Sequence, residues 1–523
     1  MVMRTEMLVL IALSVVVLMC AQSCRAAEPA PAAAVVVEYE PTEFAPLELR
    51  PYQKQGFNLL PPGELERTPR DYLKVTATVK ATGDCSVELV LVDILNREYR
   101  SPVVQPTAGQ ETPISIDMEQ AGRPISMLRT VRLYAEGRPV EVLALRTYCA
   151  VEKLPEPEVT VQGPMDDSSI QAALNALGED GGVVYIPAGE YVINNQVVIP
   201  ADNITIYGEG RETIIQGTWP DAKGLFLAQN RTNLRFTRLK FRSLPITNFR
   251  GYSNERYVEK PEDIGKPSVT SRGIELHSCT NTRVDHCEVA FFGHAGIIHY
   301  GGSDNLVDHC FLDANFRYGL GYGVATPGTT KLYIEDNNFE NHRHGIAGNA
   351  GGASYIARFN RLIKDAAVLE QWNQSPKCIN QLRAHEIDAH AKCGWIYAHD
   401  NYVAMYDAVM GAGAMMRGNQ GWLYRNVFVS CSPGIMCIGD SDDVWTWENT
   451  SDRPDTLYLN RASGTIHFDE KPPNFAEFPY PYDLNRLGWW PGAEEGSAHL
   501  VKAASQFAGP AEPQVLRMVD AQE

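Results

Sequence analysis

Between residues 273 and 323 the chain repeats itself at a step of 23 residues. Gly273-Ile274, Gly296-Ile297 and Gly319-Leu320 keep that step, as do Val284-Asp285-His286-Cys287 and Val307-Asp308-His309-Cys310. A period in the twenties, built on short apolar pairs without helical spacing, describes a chain that coils and stacks turn upon turn. Each turn buries little alone. Stacked in register, like residues lie about 4.8 Å apart, the spacing of hydrogen-bonded strands. Residues one period apart thus form columns in space, and the columns can be read for chemistry.

A chain of 523 residues is too long for one compact core, a limit that a solenoid escapes by growing in one dimension. Hydrophobic content of 44% with 21% charged residues is that of a folded protein. The net charge of −18 and the lack of a basic tract exclude nucleic acid as a partner. The same charge works against long-range attraction of a polyanion, unless a local cationic patch overrides it.

Arg4, the apolar run from Met7 to Met19 and the small residues Ala26 and Ala27 read as an export signal, residues 1–27. The run is too short to span a membrane, and no later segment is longer. The expectation is a secreted or periplasmic monomer; Cys20 and Cys24 lack a convincing lipobox, which argues against a lipid anchor. Without these two, nine of the 11 cysteines remain; Cys85 and Cys149 are a candidate pair, and Cys287 and Cys310 share one column as thiols or a disulfide.

Residues 28–44, rich in Ala, Pro and Val, read as a tether. Residues 45–153 carry alternating apolar runs at Leu73–Val79, Val87–Val92 and Leu128–Tyr134, the pattern of a small antiparallel β-sandwich. That pattern resembles the jelly-roll carbohydrate-binding modules, and Tyr52, Phe57 and Tyr72 are its candidate sugar platform. After a linker at Leu154–Pro157, Asp166 to Leu174 reads as a capped amphipathic helix. Gly181-Gly-Val-Val-Tyr-Ile-Pro-Ala-Gly-Glu-Tyr191 and Ile204 to Gly210 follow as strands.

These segments resemble the entry to the pectate-lyase-like right-handed parallel β-helix family, in which a helix caps the solenoid and a GG-V-Y-I-P-x-G-x-Y run forms the first turn. The resemblance implies an all-β fold: a solenoid over residues 158–454, preceded by the sandwich and followed by a C-terminal cap or tail at 455–523, where Trp489-Trp490-Pro491 lies. The family holds lyases, hydrolases, epimerases and non-catalytic adhesins, so the fold alone does not name a function. Further turns align at Ile334, Ala357 and Leu423. Insertions near 245–272 and 364–384 interrupt the rhythm and are expected on the binding side.

Ten of the 12 histidines fall between residues 277 and 399. Aligning turns on Gly-Ile puts Gly-Ile-Glu-Leu-His277, Gly-Ile-Ile-His-Tyr300, Gly-Leu-Gly-Tyr-Gly323 and Gly-Ile-Ala-Gly-Asn349 on one sheet. His385-Glu-Ile-Asp-Ala-His390 falls on the next turn, with Ile346 and Ile387 inside and Asp388 and His390 outside. One face then gathers His277, His294, His299, Tyr300, Arg317, Tyr318, Tyr322, Arg343, His344, Asn349, His385, Asp388 and His390, and the resemblance implies that this face lines the substrate groove. His286 and His309 are placed instead at a bend beside Asn337, Asn360 and Asn426, as structural residues.

Glycoside hydrolysis needs two carboxyl groups about 5 to 9.5 Å apart. Asp388 and Glu275, the clear outward acids, lie four turns and so roughly 19 Å apart; Glu370, Glu386, Asp407 or Glu259 would have to supply a partner. Abstraction of the proton beside a uronate carboxylate needs a base, a cation for the developing charge and an acid for the leaving oxygen. His344 or His390 as base, Arg343 as cation, and Asp388 and His385 in support fit that list, with His299, Tyr300, Arg317, Tyr318, Tyr322, Asn349 and His294 as substrate contacts. The Asn-Thr-Asp and Asp-Pro-His-Asp signatures of the polygalacturonases and alginate epimerases are absent, and Ile387-Asp-Ala-His390 is only loosely similar to the second. The resemblance admits Ca2+, and Asp440, Asp442 and Asp443 cluster in a turn, read as an exposed acidic turn. A site on His385 and His390 lacks a second carboxylate, so no metal ligand is assigned. The expectation is β-elimination on a uronate-containing polysaccharide, with glycoside hydrolysis and glycan binding without catalysis as the other readings.

Overall fold

The structure, a computed structural model, describes residues 71–475 with breaks at 119–124, 153, 219–222, 244–270, 316–319, 329, 350, 365–384, 391–392, 406–410, 419 and 474, plus Pro69 and the strands Ala34–Tyr39 and Leu47–Leu49. The export signal, most of the tether, residues 245–270 and 365–384 of the two insertions, Tyr52, Phe57, Arg317, Tyr318, Glu259, Glu370, Asp407 and the tail beyond 475 lie outside the described residues.

From Val159 onward the chain forms a parallel β-solenoid with three sheets of 12, 10 and 10 strands. Its end is closed by the helix Asp167–Ala176, whose N-cap Asp166 accepts the N–H groups of Ser168 and Ser169 and which buries Ile170 and Leu174. The repeat holds where it was read: Val284 and Asp285 pair in register with Val307 and Asp308, and Ile274 with Ile297. The next turn departs from the 23-residue step. Val324, not Leu320, pairs with Ile297, so Gly319-Leu320 is not the third member of the column. Ile346 and Ile387 continue the column inside the core, as alternation required.

At one corner the backbone turns through left-handed residues, with φ near 50° at His286 and His309 and 53–57° at Asp336, Phe359 and Asp400. The following position is a ladder: Cys287, Cys310, Asn337, Asn360, Asn401, Asn426 and Asn449. Each of the last four asparagines accepts the backbone N–H and the side-chain amide of the asparagine one turn before. The amides satisfy backbone groups that a tight corner would otherwise strand. His286 and His309 sit beside this ladder, stacked on each other at 5.0 Å and held by Asp285 and Asp308, which is a structural role. Cys287, Cys310 and Cys85 are free thiols, so neither candidate disulfide forms.

Before the solenoid, two antiparallel sheets enclose a core that includes Val75, Val79, Leu89, Ile116 and Leu133. Tyr72 packs against that core. Ile94, Leu95 and Met127 pack on Phe359, Ile363 and Tyr402 of the solenoid. Polar contacts flank this apolar seam: Ser126 to Asp336 at 2.5 Å, Asp71 to His309 at 3.0 Å, and an Arg97–Asp400 ion pair. Among the described residues no helix is long and apolar enough to cross a membrane.

Candidate functional site

The third sheet carries the histidine-rich face. Its strands Arg272–His277, Ala295–Tyr300, Tyr322–Thr326, His344–Gly348, Ile387–Ala389 and Ala414–Met416 lie side by side. Tyr322 pairs with His344, and Ala347 with Asp388, which pairs in turn with Met415. Parallel register therefore brings residues from four turns to one place without any loop having to fold.

Asp388 is the centre. His385 donates its Nε2–H to Oδ1 at 2.7 Å, and His390 donates its Nε2–H to Oδ2 at 2.7 Å. Arg417 binds both oxygens, Nε to Oδ1 at 3.2 Å and Nη2 to Oδ2 at 2.5 Å. Burial by itself would raise the Asp388 carboxyl, but the His385 and His344 rings and the hydrogen bonds from His385 and His390 hold it well below the usual range. A buried carboxylate held as the anion can accept all of these donors at once. Burial pushes the His385 imidazole down to about 4 against the pull of Asp388.

Above Asp388 the rings form a stack. Tyr322 lies parallel to His344 at 5.6 Å, and His344 leans on His385 at 4.3 Å. His344 is wholly buried and donates its Nδ1–H to the His385 carbonyl at 2.6 Å; burial drives its imidazole well below the ordinary value. The expectation of His344 as a base that meets substrate is therefore corrected: it is a packed, neutral ring. Arg343 lies over Tyr322 at 6.0 Å, and burial lowers its guanidinium's pKa. The Asp388 groups that reach solvent are His390 and Arg417, with side chains 23% and 26% exposed.

The other acid of this sheet, Glu275, organises a second cluster. It binds Arg272 at 2.6 Å, His277 at 2.8 Å and the Gly224 N–H at 2.8 Å, and His277 stacks on Tyr300 at 4.5 Å. Arg272 also donates to His294, whose ring edge meets Tyr322. A polar strip thus runs from Glu275 to Asp388, with His277, Tyr300 and His294 half-buried along it and Asn349 exposed. The pairing of Glu275 with Ile298, Ala325, Ala347 and Asp388 in turn keeps the two carboxylates four strands apart. Glu386 cannot bridge that gap, because it is wholly buried and ion-paired with the equally buried Lys364 at 2.6 Å.

His299 is also corrected. It pairs with the core residue Leu276, is fully buried, and neither ring nitrogen has a hydrogen-bond partner. Burial pushes it down to about 3, so it is a neutral ring inside the solenoid. Replacing it with an apolar residue of similar size removes two unsatisfied polar atoms. His299→Leu is expected to leave glycan turnover unchanged and stability equal or higher, by up to about 2 kcal/mol, in thermal unfolding; a tenfold loss of turnover would return His299 to the groove.

The 23-residue step does not reach Arg417, because this turn is longer: its neighbour Met416 pairs with Ala389, 27 residues before it. The acidic turn is self-satisfied: Asp442 accepts the Asp443 and Thr465 N–H groups, and Asp443 accepts Trp445 and Gln420. Those carboxylates cap turns, and the nitrogen-rich Asp388 centre does not suit calcium, which takes oxygen ligands.

Comparison with known proteins agrees with this architecture. Residues 162–368 match the family model "Rhamnogalacturonase A/epimerase, pectate lyase-like". Those residues lie within the parallel β-solenoid described above. No curated protein matches the chain. Among solved structures, endo-xylogalacturonan hydrolase from Aspergillus tubingensis is 12% identical, covering 62% of this chain and 96% of its own at a TM-score of 0.41. The catalytic domain of GH87 alpha-1,3-glucanase in complex with nigerose is 11% identical over 84% and 98%, with a TM-score of 0.32. The Azotobacter vinelandii mannuronan C-5 epimerase AlgE6 A-module is 12% identical over 61% and 100%, with a TM-score of 0.28. At these identities and scores the likeness carries nothing about chemistry.

Proposed function

We propose that the chain is an exported carbohydrate-active enzyme that removes the proton beside a uronate carboxylate and cleaves the glycan by β-elimination. One observation supports the reading above the others: a single buried carboxylate, Asp388, holds a half-exposed histidine and a half-exposed arginine side by side. His390 gives its Nε2–H to Asp388, which leaves Nδ1 as the basic nitrogen. Arg417 is the cation for the uronate carboxylate, whose charge grows as the carbon acid ionises. The C5 proton passes to His390, the electron pair forms the C4–C5 double bond, and the C4–O bond breaks. Burial raises the Tyr322 phenol, so it keeps its proton for the departing oxygen.

Hydrolysis is less well supported, because Glu275 lies four strands from Asp388 and Glu386 is locked to Lys364. The test compares the chain with His390→Ala on uronate polysaccharides, following the ultraviolet absorbance of the unsaturated product. Loss of a positioned base is expected to lower the rate by about 10²–10⁴-fold with the fold intact. Undiminished product in the variant would remove His390 from the reaction.

A further inference from the structure

His344 and Asp388 face each other in an arrangement that direct hydrogen bonding does not complete. The His344 Nδ1 atom lies 2.6 Å from the His385 carbonyl oxygen, which can only accept, so Nδ1 carries the proton. Nε2 then presents its lone pair toward Asp388 Oδ2, 3.8 Å away. That nitrogen is buried and has no hydrogen-bond partner. A lone pair aimed at a carboxylate oxygen in a buried site is stable only with a cation between or beside them, and in this structure the Arg417 guanidinium, 2.5 Å from Oδ2, is the cation beside them. His390 Nε2 reaches the same oxygen, and the donor atoms of His344, Asp388 and His390 all lie within 4.8 Å of one another. The Nδ1–H to carbonyl bond that fixes His344 is the outer-sphere bond that orients metal-ligating histidines.

We infer that His344 Nε2, Asp388 Oδ2 and His390 Nε2 form a binding site for one divalent transition-metal ion of the zinc class. This rests on the residues of the catalytic site proposed above; an ion on His390 Nε2 replaces the Nε2–H bond to Asp388 and puts the proton on Nδ1, so the ion-bound form and the form with His390 as base exclude each other. Two imidazoles and one carboxylate are a donor set for borderline ions and a poor one for calcium or magnesium. Bond lengths of 2.0–2.2 Å in a tetrahedral site put donors about 3.4 Å apart, which falls between the 2.7 Å and 3.8 Å distances to Asp388 Oδ2. His385, on the other oxygen of Asp388, completes the outer sphere. Arg417 is the competitor: its Nη2 lies 2.5 Å from Asp388 Oδ2 and 3.4 Å from the Nε2 atoms of both His385 and His390, in the place the ion would take. Its side chain is 26% exposed and has room to leave toward solvent or an anionic sugar. Ion and guanidinium therefore exclude each other at Oδ2.

The test uses the tag-free mature chain after exhaustive chelation, titrated calorimetrically with Zn2+ and with Co2+. The expected result is one ion per chain, with a metal-dependent rise in melting temperature. His344→Gln and His390→Gln are each expected to weaken binding by at least 10–100-fold, and Arg417→Gln to tighten it by removing the competing cation. Should His344→Gln fail to fold, His390→Gln and Arg417→Gln, both at half-exposed positions, still decide the matter. No saturable binding to the wild type, or equal affinity in His390→Gln and Arg417→Gln, overturns the inference. Unsaturated product from metal-free protein that binds no ion would sink the metal site and spare the elimination. Stoichiometric binding without product from any uronate glycan would do the reverse.

Discussion

Asp388→Asn is expected to lower turnover of a uronate glycan by about 10³–10⁴-fold while the solenoid stays folded, in line with the loss seen when the carboxylate that orients a catalytic imidazole is made an amide. The side chain keeps its shape, so the ladder through Ala347 and Met415 is not disturbed. What changes is charge and hydrogen-bond polarity. An amide offers one acceptor oxygen to His385, His390 and Arg417, and its NH2 faces a donor. His390 would lose its fixed tautomer, and Arg417 its counter-ion. The loss of stability is expected to be smaller, about 1–3 kcal/mol, because Arg417 is partly solvated and exposed partners contribute less. Steady-state rates beside a thermal melt separate the two effects. Equal, large falls in both would make Asp388 a folding residue and nothing more.

The second large effect concerns acid. Burial pushes His299 and His342 down to about 3 and His385 down to about 4, all well below the 6.5 of an unfolded chain. Below pH 6.5 the unfolded chain binds these protons and the folded chain does not, so stability falls as pH falls, and it keeps falling until the folded values are reached. Each histidine contributes about 1.4 kcal/mol per pH unit in that window, and the three together about 4 kcal/mol per unit. His309 works the other way. Burial alone would lower it, but Asp71 and Asp308 raise it well above the ordinary value, so its stabilisation is complete below pH 6.5 and lost as pH rises through its folded value. Net, the melting temperature is expected to drop steeply between pH 6.5 and 4.5, where two units remove a large part of a typical domain's 5–15 kcal/mol. His299→Leu should make that slope shallower by one proton. A flat melting temperature across the window would show that these rings are not held neutral.

Much of the solenoid was legible because its repeat is covalent arithmetic: Val284 and Val307 stack because the chain between them makes one turn. The arithmetic failed at Leu320, where the turn is longer and Val324 takes the place in the column. His344, His385, Asp388 and His390 could be brought together by counting, since they share or adjoin strands of one sheet. Arg417 could not, because Asp388 pairs with Met415 and Ala389 with Met416, a step of 27 residues and not 23, so the count misses its turn. His299 was misplaced although alternation from Ile297 puts it inside with Leu276; its polarity was weighed above its parity. Depth was the other blind spot. Alternation assigns a side chain to a face, but only the packing of Tyr322 and His385 shows that His344 is sealed from solvent. The docking of the sandwich was likewise out of reach, since Asp71–His309 and Ser126–Asp336 join positions more than 200 residues apart.

The most direct measurement records two signals at once from the purified chain on a panel of acidic and neutral polysaccharides: ultraviolet absorbance of unsaturated uronate, and release of reducing ends. Elimination by His390 and Arg417 predicts that both rise together on a uronate-containing glycan and that neither rises on neutral ones. Reducing ends without the ultraviolet signal would contradict the account and turn attention to a second carboxylate near Asp388.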